Sequence, residues 1–241
     1  MEAKTALYMI PVPVSEGSLD YVIPKENFAI VSELKYFIVE NIRTARRILK
    51  RMDSSINISD ITFYELNNHT PEIEINLFLE PLRKGESMGV MSEAGCPGIA
   101  DPGAQVVALA QRAGLRVVPL VGPSSILLSL MASGLNGQCF CFHGYLPVEN
   151  KEREKTIKDL EIQSRRHNMT QIFIETPYRN AKMMESLLGV LSDSTKLCVA
   201  SEVTSPEREN IVTRTVKDWK RTGFLPGKYP TIFLFHSKDL K

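Results

Sequence analysis

Short apolar runs alternate with segments of helical spacing along this chain. The runs cover residues 7–10, 37–39, 88–91, 117–120, 140–142, 172–174, 197–200 and 232–235, and their length and β-branched content predict strands. Between most of them, apolar positions recur three and four residues apart over 42–52, 73–82, 104–113, 126–132, 156–162 and 183–191, which predicts helices. The alternation predicts an α/β architecture with largely parallel strands. The first four runs are almost wholly apolar, as expected for strands covered on both faces. Asp101-Pro102 and Thr176-Pro177 read as helix starts with a capping side chain before a proline, and Gly114 as a helix stop. Turn residues cluster at Gly134-Leu135-Asn136-Gly137, which predicts two α/β domains at about 1–137 and 138–241.

Charge supports that division. Residues 1–137 carry 12 Lys/Arg against 15 Asp/Glu, and residues 138–241 carry 17 against 13. The net charge of +1 does not by itself demand a nucleic acid or a membrane. No apolar run approaches the roughly 18 residues of a membrane span, and no secretory leader pattern opens the chain, so a cytoplasmic protein is expected. Cys96, Cys139, Cys141 and Cys198 form no metal-ligand spacing, so core thiols and no metal are expected.

Small, turn-forming residues concentrate where predicted strands hand over to helices. Residues 92–103 read Ser-Glu-Ala-Gly-Cys-Pro-Gly-Ile-Ala-Asp-Pro-Gly, and Gly122-Pro123-Ser124-Ser125 follows the next strand. That edge of an open α/β sheet is where small ligands sit. The loop after the first strand holds one glycine, Gly17, so it lacks the three-glycine dinucleotide fingerprint. No P-loop is present, and Ser92 lacks a nucleophile-elbow context. What remains is a ligand held by backbone and small side chains, with Glu93 as an acceptor for hydroxyl or amine groups and Ser124 and Ser125 as donors.

The 92–103 segment resembles the S-D-A-G-T-P-x-I-S-D-P-G signature of the ribosomal RNA small-subunit methyltransferase I family, within the S-adenosylmethionine-dependent tetrapyrrole methylase superfamily. Six further segments resemble that family in order: Leu7 to Pro13, Val39 to Arg43, Arg116 to Pro123, Ser133-Gly134-Leu135, Gly144 to Pro147 and Phe173 to Arg179. The resemblance implies two α/β domains with S-adenosylmethionine in the cleft between them, a homodimer, and a ribose 2′-hydroxyl of ribosomal RNA as methyl acceptor. It implies cofactor contacts at Pro13, Val14, Glu93, Gly95, Cys96, Ser124 and Ser125, and near Ile174, Ala200 and Pro230. The chain departs from the family at Ser15-Glu16-Gly17, at Asn41-Ile42 in place of Asp-Thr, and at Ser205, where E-L-T-K has lysine. Acceptor specificity is expected to lie in those departures.

Arg43, Arg46, Arg47, Lys50 and Arg51 form one stripe on the predicted helix 42–52, while Ile42, Ala45, Ile48, Leu49 and Met52 form its apolar side. Such a stripe suits RNA phosphates; a solvated face or a dimer contact are its other readings. A ribose hydroxyl benefits from a general base, for which Glu40 is the first candidate and Glu175 the second. His143 reads as a surface or hinge residue. The expected function is methylation of RNA. The alternatives are a methyltransferase for a tetrapyrrole or other small molecule, and a non-catalytic RNA-binding protein on the same fold.

Overall fold

A computed structural model describes residues 5–17, 19–67 and 69–238. The chain divides into two compact units, Met1–Ser124 and Ser125–Lys241. The division falls before the turn cluster at 134–137, because the helix at 125–133 packs on strands of the second unit.

The first unit runs β1 (Leu7–Ile10), α1 (Leu19–Val22), α2 (Lys25–Ser32), β2 (Tyr36–Val39), α3 (Ile42–Met52), β3 (Thr62–Glu65), α4 (Glu72–Phe78), α5 (Glu80–Arg83), β4 (Met88–Met91), α6 (Gly103–Arg112) and β5 (Val117–Pro119). Its strands form one parallel sheet in the order β3-β2-β4-β1-β5. Ile10, Phe37 and Val39 pack with α1, α2 and α3 on one face. Leu7, Met9, Ile38, Met88 and Val90 pack with α4, α5 and α6 on the other. The apolar continuity of β1, β2 and β4 is the record of that double burial. Adjacent strands β1 and β4 therefore send their chains to opposite faces, which is the topological switch point where a crevice opens beyond the carboxyl ends.

Local chemistry sets the helix ends. Asn41 Oδ1 accepts from the backbone N–H of Arg43 (3.0 Å) and Thr44 (3.1 Å), so the departure at Asn41 keeps a helix cap. Gly114, at φ +67°, ends α6 as expected: its N–H reaches Gln111 O and the Leu115 N–H reaches Ala110 O, a Schellman closure.

The second unit runs α7 (Ser125–Ser133), β6 (Phe140–Tyr145), α8 (Asn150–His167), β7 (Thr170–Glu175), α9 (Asn180–Val190), β8 (Lys196–Ser201), β9 (Asn210–Thr215), α10 (Val216–Thr222) and β10 (Thr231–His236). Its mixed sheet has the order β6-β7-β10-β8-β9, parallel only between β6 and β7. Ile172, Cys198, Ala200, Ile232 and Leu234 face α7. Phe173, Leu197, Val199, Phe233 and Phe235 face α8, α9 and α10. Trp219 of α10 is buried and donates from its ring N–H to Leu197 O at 2.8 Å.

Several local expectations change. Thr176 makes no side-chain cap; Pro177–Arg179 is a 3-10 turn, and the Thr176 N–H goes to Glu175 instead. Only Cys198 is a core thiol; Cys96, Cys139 and Cys141 are half-buried, Cys141 because β6 is an edge strand and Cys139 just before it. His143 is also half-buried, with Nε2 2.5 Å from Gln171 Oε1.

Candidate functional site

Three loops at the carboxyl edge of the first sheet lock onto one another. Val12, after β1, exchanges both backbone hydrogen bonds with Gly95, after β4, at 2.9 and 3.1 Å. The Cys96 thiol donates to Pro123 O, after β5, at 3.3 Å. Gly122 lies directly on Pro11: a Cβ there would stand 2.3 Å from the Pro11 Cβ. Buried Asn27 of α2 donates to Val121 O at 2.8 Å and ties the third loop to the helices behind it.

The long loop is closed from within. Asp101 Oδ1 accepts from the N–H of Gly98 (2.8 Å) and of Gly103 (2.7 Å), and Oδ2 also accepts from Gly98. The cap expected of Asp101 is not formed as such: α6 begins at Gly103 with Pro102 in the cap position and no side-chain cap, and Asp101 instead folds residues 98–103 into a ring before the helix. Gly95 and Gly98 sit at φ +73° and +85°, a region that disfavours side chains. A mainly apolar cavity of about 550 Å³ opens beside these loops, walled by Met9, Cys96, Pro97, Ile99, Val107 and Leu120. The lock predicts that Gly122→Ala, which drives a methyl into a rigid proline ring, costs about 1–3 kcal/mol. Denaturant unfolding checks this, and an unchanged midpoint would contradict the lock.

Glu40, at the end of β2, belongs to the same edge, because β2 pairs directly with β4. Its carboxyl is half-buried and its pKa lies above the ordinary value: burial raises it most, the Asp101 charge adds, and the backbone N–H of Glu93 partly offsets them. Burial likewise raises the pKa of Asp101, opposed by its two backbone donors. Burial and the Asp101 charge raise that of the Cys96 thiol, which keeps its proton for Pro123. Glu93 is exposed, and Pro13, Val14, Ser124 and Ser125 are half-buried.

In the second unit, Ile174 and Ala200 flank Ile232 in register, and Pro230 lies just before β10. The three motif-matched positions therefore share one edge of that sheet. Glu175 is buried and differs from Glu40: its Oε1 accepts from Arg179 Nε (2.8 Å), from Arg179 Nη2 (2.5 Å) and from the Thr176 N–H (2.6 Å). This oxygen is committed to orienting the 176–179 turn.

All five basic residues of α3 are exposed, and Ala45, Ile48, Leu49 and Met52 are buried behind them. Arg46 lies 5.4 Å above the Phe63 ring, Lys50 reaches Ser54 O and Arg51 reaches Gly17 O. Among the described residues, none of the five pairs with a carboxylate. Pattern reading missed the roles of Asn27 and Gly122, since both depend on contacts between segments distant in sequence.

No family model matches the chain. It is 32% identical over 198 residues to ribosomal RNA small subunit methyltransferase I of Vibrio cholerae, covering 82% of this chain and 65% of that protein. It is 30% identical to the protein of the same name in Escherichia coli O157:H7, with the same shares covered. The chain thus spans just under two thirds of these relatives' length. Among solved structures it is similar to the methyltransferase CobJ, with a TM-score of 0.64 and 17% identity over 97% of this chain and 94% of that one. It is also similar to a uroporphyrin-III C-methyltransferase from Thermus thermophilus, solved with S-adenosylhomocysteine, with a TM-score of 0.56 and 14% identity over 96% and 97% of the two chains. The chain carries the fold of the tetrapyrrole methyltransferases and is a homologue of the ribosomal RNA small subunit methyltransferase I proteins, the superfamily and family that its motifs resemble.

Proposed function

We propose that the protein is an S-adenosylmethionine-dependent methyltransferase acting on a ribose 2′-hydroxyl of ribosomal RNA. The observation that carries the acceptor is the placement of α3. Its five cations lack carboxylate partners among the described residues, and its first turn begins two residues after Glu40. One short segment thus holds a group able to take a proton and a row of groups able to hold phosphates.

The loops fit the cofactor. Glycines at positive φ allow close approach of main chain, the adjoining cavity is apolar, and the carboxylates of Glu93 and Asp101 favour a cationic sulfonium. In this reading Pro13, Val14, Glu93, Gly95, Cys96, Ser124 and Ser125 hold it, with Ile174, Ala200 and Pro230 from the second unit. S-adenosylmethionine supplies an electrophilic methyl carbon whose leaving group needs no acid. What remains for the protein is to position the acceptor, exclude water and take one proton. Glu40 accepts the hydroxyl proton as the oxygen attacks. Its raised pKa suits a base working near neutrality. Glu175, the second candidate, orients Tyr178 and Arg179 instead. Action as a homodimer, on RNA or the small ribosomal subunit, rests on the motifs, and a cytoplasmic place on the sequence pattern. No described helix is long and apolar enough to cross a membrane. Titration calorimetry with S-adenosylmethionine tests the cofactor: saturable binding at micromolar to sub-millimolar concentration is expected, and no heat at millimolar concentration rejects the reading.

A further inference from the structure

Three loops of the second unit converge at one edge of its sheet, since Thr231 lies in register with both Glu175 and Ser201. They are the turn after β7, the connection from β8 to β9, and the segment before β10. Each exposes an aromatic ring or a cation. Tyr178 is 82% exposed, and Lys228 Nζ lies 5.6 Å from its ring centroid. Tyr229 is 45% exposed, and the Arg208 guanidinium lies 6.0 Å from its centroid. At 82% exposure Tyr178 gains little from the core, so a packing role does not account for it, and Tyr229 keeps nearly half of its surface open.

The surface is also held in place. A Cβ on Gly227 would stand 2.8 Å from the Tyr229 ring, so one edge of the ring packs closely against bare backbone. Buried Asn180 donates to Gly227 O (2.9 Å) and Tyr229 O (2.8 Å), pinning the loop on both sides of Lys228. Glu202, buried at φ +51°, pairs with Arg208 at 3.2 Å, and the Glu175–Arg179 pair orients the turn that carries Tyr178. Thr204, a β-branched residue at φ +71°, donates its N–H to Glu209. Backbone strain held by surrounding bonds in this way points to function rather than to a passive turn.

We propose that this edge is a stacking surface for unpaired nucleobases of the RNA substrate, with Tyr178 and Tyr229 as its rings. The proposal rests on the RNA reading above and assigns this surface a different share of the work. Glu175 and Glu202 pair with Arg179 and Arg208, and residues 175–179, 202–209 and 227–230 together hold four glutamates against three Lys/Arg, so the edge is near neutral. Affinity here comes from ring stacking, which every base can provide and which depends little on salt. The α3 stripe lacks interleaved aromatics and supplies the salt-dependent phosphate contacts.

The test is fluorescence anisotropy with a labelled single-stranded RNA 12-mer of mixed sequence, over a salt series, on the full chain. Tyr178→Ala with Tyr229→Ala is expected to weaken binding about tenfold or more. The slope of log affinity against log salt stays as in the wild type, and the Phe replacements restore affinity. Calorimetric affinity for S-adenosylmethionine is expected to be unchanged. An unchanged RNA affinity in the folded double variant overturns the proposal. So does an equal loss of S-adenosylmethionine affinity, which would assign the rings to the cofactor's adenine. A wild-type chain that does not bind the 12-mer removes the RNA reading and this surface together.

Discussion

Glu40→Gln is expected to lower kcat by about 10²–10⁴-fold, the range of a lost general base, while leaving S-adenosylmethionine affinity within about twofold. Glutamine keeps the acceptor oxygen that meets the Glu93 N–H, so the loop geometry survives and only the proton-accepting role is lost. The wild-type kcat should fall on the acid side with an apparent pKa above the ordinary carboxylate value of 4.5, and the variant should lack that limb. Stability moves the other way. A folded pKa raised above the unfolded one means that the native state holds the proton more tightly. The associated stability is complete below the unfolded pKa and is lost as pH rises through the folded one. At neutral pH the ionised Glu40 therefore costs stability, and the variant should melt at or above the wild-type temperature. Activity falling as stability holds or rises is the mark of a functional group kept at a cost. A kcat within twofold of wild type would remove Glu40 from the chemistry.

Reversing two charges on α3 has the second largest expected effect. In Arg43→Glu with Arg47→Glu, affinity for the 12-mer or for small-subunit RNA should fall at least about tenfold near physiological salt. The slope of log affinity against log salt should shrink by about 1.5 to 2. Neither residue makes a hydrogen bond or ion pair that the core depends on, and both stand on the exposed face of the helix. Glutamate at position 43, in the first helical turn, is favourable to the helix dipole, and position 47 lies on the exposed face mid-helix, so neither change is expected to unwind α3. Melting temperature checks that point. An unchanged salt slope in a variant with intact melting would return the stripe to a solvated face.

The pattern of apolar runs carried most of the fold. The runs at 7–10 and 88–91 coincide with β1 and β4, and that at 42–52 with α3. The strands it missed, β3 and β9, are both at sheet edges, where one side faces water and Thr-Phe-Tyr-Glu or Asn-Ile-Val-Thr-Arg-Thr shows no continuous apolar run. Helix α8 is eighteen residues long, although only its middle was legible. Its buried face includes Arg153, Glu161 and Ser164, polar residues satisfied by distant partners: Arg153 by Ser186, and Glu161 by Ser192 and Thr195. No reading of hydrophobic spacing can foresee such partners. The same distinction runs through the site. The glycines and prolines of residues 92–103 were legible because their backbone demands are local. The pinning of Val121 by Asn27 and the seat of Gly122 on Pro11 became visible only once the loops were assembled. Asn41 shows the opposite case, a departure from the family motif that keeps the helix cap and so leaves the geometry of α3 intact.

The most direct measurement is transfer of labelled methyl from S-adenosylmethionine to isolated small ribosomal subunits and to their RNA, with the product mapped by alkaline hydrolysis. The account predicts label in RNA at a linkage that resists alkali, because a methylated 2′-oxygen cannot attack the neighbouring phosphate. No transfer to either substrate by a chain that binds S-adenosylmethionine, or label confined to a base or to protein, would contradict it.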